Sequence, residues 1–172
     1  MMIEYPIDFS RAWKAYGAPP ADPKKTAFKA WNKSEKERPD INTIVLCIQA
    51  YLRDLVKQNQ GRPVHQHIRR AHFSTWLNQN RWEGFLPVVE AQTQQNTAIN
   101  DATRLQWNGK ASKLIQQLGN PAIFDAWFGG TEFSEGPPAT ITFQSPFKAK
   151  WVRENFINQI HRALGEVTIR EG

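Results

Sequence analysis

Apolar residues recur at three- and four-residue steps through the first half of the chain and alternate only near its end. The pattern predicts a run of helices followed by a small mixed domain. Phe9, Ala12, Trp13 and Tyr16 define a first helix that stops at Gly17-Ala18-Pro19-Pro20. Asp22-Pro23 reads as the N-cap and first turn of a second helix with Ala27, Phe28, Ala30 and Trp31 on its apolar face. Pro39-Asp40 opens a longer helix in which Ile41, Ile44, Val45, Ile48, Tyr51, Leu52 and Leu55 form the stripe, ending at Asn59-Gln60-Gly61. His67 to Leu77 is expected to be helical with Ile68, Ala71, Trp76 and Leu77 inward, and Asn78 to Glu83 to be its exit.

From Pro87 to Gln106 the sequence turns rich in Gln, Asn, Thr and Ala without a strong apolar face, which reads as a linker, in part helical. Trp107, Leu114, Ile115 and Leu118 then mark a helix stopped by Gly119-Asn120-Pro121. A shorter one, with Ile123, Phe124, Trp127 and Phe128, is stopped by Gly129-Gly130. The period next changes to two: Thr131-Glu132-Phe133 and Ala139 to Phe143 are strands on either side of Gly136-Pro137-Pro138. Ser145-Pro146 caps a long helix lined by Phe147, Trp151, Val152, Phe156, Ile160 and Leu164, and Val167-Thr168-Ile169 is a third strand. The predicted fold class is α+β: an all-helical basic module over 1–86, a linker over 87–106, and an α-α-β-β-α-β domain over 107–172.

Charge sharpens that division. The 172 residues carry 22 Lys plus Arg against 16 Asp plus Glu, a net +6. Up to Phe85 the balance is 14 basic to 8 acidic, and beyond it 8 to 8, so the whole excess lies in the helical half. A basic half suits a phosphate-bearing partner and a neutral half suits protein contacts. The single cysteine, Cys47, lies in an apolar run and reads as a buried small hydrophobe, in keeping with a reducing compartment. The opening residues Met1 to Pro6 lack the features of a signal peptide and no window reaches a membrane-spanning length of apolar residues. A cytoplasmic protein without membrane contact is therefore expected.

The second half resembles the N-terminal, KH-like domain of the bacterial replication initiator DnaA from about Ala111 to Arg170. The likeness is densest at Phe124-Asp125-Ala126-Trp127-Phe128, and at Ser145-Pro146-Phe147 followed by Trp151-Val152-Arg153-Glu154-Asn155-Phe156, Asn158 and Ile160. Residues 9 to 84 look like a helical module of phage and prophage replication proteins. That likeness is carried by Phe9 to Tyr16, Lys24 to Trp31, Ile44 to Tyr51, and Phe73 to Asn78 with Arg81-Trp82-Glu83. The resemblance implies a replication accessory protein that recruits or loads a DnaB-type replicative helicase through the second helix of the domain and its surroundings. It also implies weak self-association near the first helix. Alternatives of other classes are a sequence-specific DNA-binding regulator and an inhibitor that pairs with DnaA itself. Where the initiators carry an acidic residue ahead of the aromatic of that second helix, this chain has Ile123, and Asp125 is the nearest carboxylate.

Candidate contact residues follow. Ile123, Asp125, Phe128 and Phe133 are the expected helicase-binding set, because a domain this small cannot bury every large side chain. Trp127 and Trp151 are expected in the core. Trp107 and Leu114 either mediate self-association, as the resemblance implies, or pack the linker against the domain. Lys24, Lys25, Lys29 and Lys33 share one helix side, and Arg69, Arg70 and Arg81 lie close to Trp76 and Trp82. These cations either contact DNA or form a solvated face. His65, His67 and His72 lack a second ligand pair for zinc, so neither a metal nor any other cofactor is expected. Gly129-Gly130 is not followed by the Lys and Ser/Thr of a phosphate loop, and no nucleophile sits in a triad. No enzyme is expected.

Overall fold

The computed structural model describes residues 4–18 and 21–172. It divides the chain into two compact units, one running to Gln92 and the other from Thr93. In keeping with the predicted α+β class, the first is helical and the second carries a three-stranded sheet.

The first unit contains α1 (Ile7–Tyr16), α2 (Lys24–Lys33), α3 (Ile41–Asn59), α4 (Phe73–Asn78) and the start of α5 (Leu86–Gln106). Helix α1 ends where Gly17 adopts a left-handed φ of 58° and returns its N–H to Trp13 and Lys14, a conformation that only glycine adopts at no cost. Pro19 and Pro20, and Met1 to Ile3, lie outside the described residues. Helix α3 begins as its sequence demands: the Asp40 carboxylate accepts from the N–H groups of Asn42 and Thr43 and from the Thr43 hydroxyl. Those donors, the hydroxyl first, hold the Asp40 carboxyl below its ordinary pKa. The core is a cluster of rings: Phe9, Tyr16, Phe73, Trp76 and Trp82 are all but fully buried, in a chain of contacts from 4.6 to 6.5 Å. Cys47 lies inside this cluster, and burial pushes its thiol up to about 11, so it packs as a neutral hydrophobe.

Two expectations are corrected here. Asp22 does not cap α2, whose N-terminus has no side-chain cap. Its buried carboxylate accepts instead from the N–H of Phe73 at 2.8 Å, satisfying the start of α4. The segment from His67 to His72 is not helical, and α4 starts only at Phe73. Its backbone groups are taken by distant side chains: Asn59 binds both the N–H and the C=O of Ile68, Tyr16 donates to Ala71 O, and Tyr51 Oη accepts from Ala71 N. A helix there would have to give up all of these bonds.

The second unit follows the predicted order: α6 (Lys110–Leu118), α7 (Pro121–Phe128), β1 (Glu132–Ser134), β2 (Ala139–Phe143), α8 (Pro146–Leu164) and β3 (Val167–Glu171). Strand β2 is central, antiparallel to β1 with Phe133 opposite Ile141, and parallel to β3 with Ile141 opposite Ile169. Helix α8 is the crossover a parallel pair requires. Asn120 and Ser145 cap α7 and α8, each with proline in the first turn. Trp107, Leu114, Phe124, Phe128, Phe143, Val152 and Ile160 fill the core.

The segment read as a linker, 87–106, is helical throughout, and its last turns are tied into the second unit. Gln106 uses its amide like a fourth strand, donating to Phe133 O at 2.7 Å and accepting from Phe133 N at 2.9 Å. Thr103 accepts from Gly130 N, and Arg104 Nη2 spans both oxygens of Asp125 at 2.6 and 2.8 Å. These polar ties stand in for the missing apolar stripe.

Candidate interaction surfaces

In the second unit, α7 presents three faces. Phe124 and Phe128 point into the core, while Ala122, Asp125, Ala126 and Gly129 line a cleft of about 510 Å³ with Asn96, Ile99, Asn100 and Lys148. Ile123 and Trp127, four residues apart, share the third face. Trp127 lies flat against Trp151 of α8, with centroids 3.8 Å apart and planes at 4°, and both rings are only half-buried. Phe147, one turn before Trp151, is 69% exposed and 6.5 Å from Trp127. Ile123, Trp127, Trp151 and Phe147 therefore make an apolar band across the α7–α8 side. Arg153 and Lys150 are exposed on the same helix.

This band differs from the expected contact set. Phe128 and Phe133 are core residues, at 0% and 8% exposure, packed around Trp107 at 5.8 and 5.0 Å. Asp125 is paired with Arg104 and has little charge left to offer. Trp107 and Leu114, given two readings from sequence, are both fully buried; the Trp107 indole N–H is directed at Thr131 O at 3.4 Å. Neither can contact another molecule without unfolding. Trp127 and Trp151, expected inside, are half-buried, Trp127 against the core, whereas Phe147, read from sequence as lining the buried side of its helix, is exposed.

In the first unit the structure sorts the expected cations. Lys24 lies 4.5 Å over the Tyr5 ring and 5.8 Å from that of Trp13. Arg70 donates to the carbonyls of Tyr16 and Gly17 and flanks the Tyr16 ring, so it fastens the chain after α1. Lys25, Lys29 and Lys33 remain exposed on α2. Arg69 and Arg81 are brought together at one cavity of about 480 Å³, between α3 and the turn leading out of α4. The turn is held in shape by Asn80, at a left-handed φ of 46°, whose amide donates to Glu37 at 3.1 Å and Glu83 at 3.3 Å.

The histidines do not converge. His67 Nε2 meets Arg62 O, and His72 Nδ1 lies 3.3 Å from Asp22 Oδ1, which is left without a hydrogen bond. Among the described residues no three His, Cys, Asp or Glu side chains are grouped as a metal would require, and no helix is long and apolar enough to cross a membrane.

The described residues thus form a helical unit with exposed cations at a cavity and a small α+β unit with an aromatic band. Residues 4–80 match the family model of the Legionella vir region protein LvrA C-terminal domain, so the first unit is similar to that domain. No curated protein and no solved structure gives a significant match.

Proposed function

We propose that the protein is a non-enzymatic accessory factor of DNA replication that recruits or loads a DnaB-type helicase through its second unit and contacts DNA or a nucleoprotein through its first. The observation that carries this reading is the band of Ile123, Trp127, Trp151 and Phe147. Three of its residues, Trp127, Trp151 and Phe147, lie in the stretches whose sequence resembles the initiator domain, and stacked, half-buried aromatics beside an exposed ring and an aliphatic neighbour are a usual centre of a protein interface. The contact is apolar: Ile123 stands where the initiators place a carboxylate, and Asp125 is already paired. Trp107 and Leu114 are buried, which weighs against these two residues as a self-pairing surface. The LvrA name specifies a genomic region rather than an activity, so the functional reading rests on the second unit.

Sedimentation of the full chain with a DnaB-type helicase, with and without a DNA oligonucleotide, tests the proposal. Co-sedimentation with helicase, and of all three components together, is expected. Failure to bind either partner at micromolar concentration in physiological salt would contradict it.

A further inference from the structure

The cavity beside Arg69 and Arg81 has a composition more specific than a basic face. Tyr51, Leu55, Ile68 and Phe85 supply aromatic and aliphatic walls, and Tyr51 and Phe85 are already in edge contact at 5.9 Å. Around them stand two guanidinium groups, the carboxylates of Asp54 and Glu83, and the amides of Gln58, Gln79 and Asn80, with Gln58 donating to Asp54 and Asn80 to Glu83. Arg81 donates through Nε to Gln79 at 2.8 Å, which orients the guanidinium; Arg69 has no polar partner among the described residues. At about 480 Å³ the space is that of a small-molecule site rather than a packing gap.

One ligand chemistry matches all three components. A nucleobase is a flat apolar face with alternating donors and acceptors on its edge, and it is tethered to a phosphate. Aromatic walls stack on the face, carboxylates and amides meet amino and carbonyl groups on the edge, and a free guanidinium takes the phosphate. A base still paired within a duplex cannot enter such a cavity. We infer that the cavity seats one unpaired nucleotide of a single-stranded nucleic acid, with the base between Phe85 and the α3 side chains and its phosphate at Arg69 and Arg81. This deepens the proposed DNA contact of the first unit and rests on it. The exposed lysines of α2 then supply only sequence-independent attraction for the strand.

The test is fluorescence anisotropy of the full chain with a labelled DNA strand, the RNA strand of the same sequence, and the DNA duplex. Single strands are expected to bind tighter than duplex. Phe85→Leu keeps an apolar wall while removing the stacking face, and Arg69→Ala alters an exposed side chain. Each is expected to weaken single-strand binding roughly 10-fold and leave duplex binding unchanged. Changing Lys25, Lys29 and Lys33 together to Ala is expected to weaken all three alike. Similar affinity for DNA and RNA would show recognition of base and phosphate alone, and a preference would identify the source of the strand. Single-strand binding that survives both cavity variants but falls with the lysine variant would overturn the cavity as the site while leaving DNA contact intact. Absence of binding to every nucleic acid would overturn both.

Discussion

In the first unit Phe9, Tyr16, Phe73, Trp76 and Trp82 are all inside, Tyr5, Trp13, Phe28 and Phe85 are half-buried around them, and none of the described rings is exposed. In the second unit Trp107, Phe124 and Phe128 fill the interior, Trp127 and Trp151 are half-buried, and Phe147 is largely exposed. The difference follows from the layers available. Five helical segments cover the rings of the first unit well enough to leave none of the described ones exposed, whereas the small sheet, the end of α5, α6, α7 and the long α8 leave Phe147 uncovered. Surface chemistry then diverges: cations around a cavity in one unit, an aromatic band in the other. The proposal of two partners grows out of that contrast.

The comparison can be broken or sharpened by substitution. Trp107→Ala should have the largest effect, because it empties a fully buried site between α7 and β1. A loss of about 3–5 kcal/mol is expected, seen in hydrogen exchange as lost protection over residues 107–172. If the exposed-ring account of the second unit is right, Trp151→Ala should cost clearly less. Gly129→Ala comes next. A Cβ there would overlap the Asn100 side-chain oxygen and the Asp125 carbonyl, so urea midpoints should register a loss of about 1–3 kcal/mol.

Asp40→Ala sharpens the picture of the first unit. Loss of the α3 cap should cost about 1 kcal/mol at neutral pH. Because the folded state depresses the Asp40 carboxyl, its contribution is present above the unfolded pKa of about 3.9 and is lost as pH falls through the lower folded value. Wild type and variant should therefore converge in stability under acid conditions, as urea titrations at neutral and acid pH would reveal. Phe147→Ala should be the mildest, within about 0.5 kcal/mol in stability, since the ring is largely exposed, while still weakening the helicase complex.

Sequence pattern revealed what is locally determined. Helix α3 carries its own cap in Asp40 and its own stripe, and α8 its Ser145-Pro146 start, so both were legible. The stretch from His67 to His72 has helical spacing but belongs to Asn59, Tyr16 and Tyr51, partners as much as 55 residues away. The end of α5 was hidden for the mirror-image reason: its Thr103, Arg104 and Gln106 look like linker composition until Gly130, Asp125 and Phe133 are beside them. At the candidate surfaces the band of α7 and α8 was legible in Ile123 alone. Periodicity marks Trp127 and Trp151 as apolar without saying whether a further layer covers them. Likewise nothing in the basic run distinguishes Arg70, which fastens the chain after α1, from its neighbour Arg69, which lines the cavity and has no polar partner among the described residues.

The central claim is a division of labour between two surfaces, and a crossed binding experiment on the full chain tests it most directly. Calorimetry with a DnaB-type helicase and anisotropy with DNA would be run on wild type, on Ile123→Glu, and on the variant with Lys25, Lys29 and Lys33 changed to Ala. The account predicts that Ile123→Glu loses helicase and keeps DNA, and that the lysine variant keeps helicase and binds DNA more weakly. Loss of both partners in either folded variant, or helicase binding indifferent to Ile123→Glu, would contradict it.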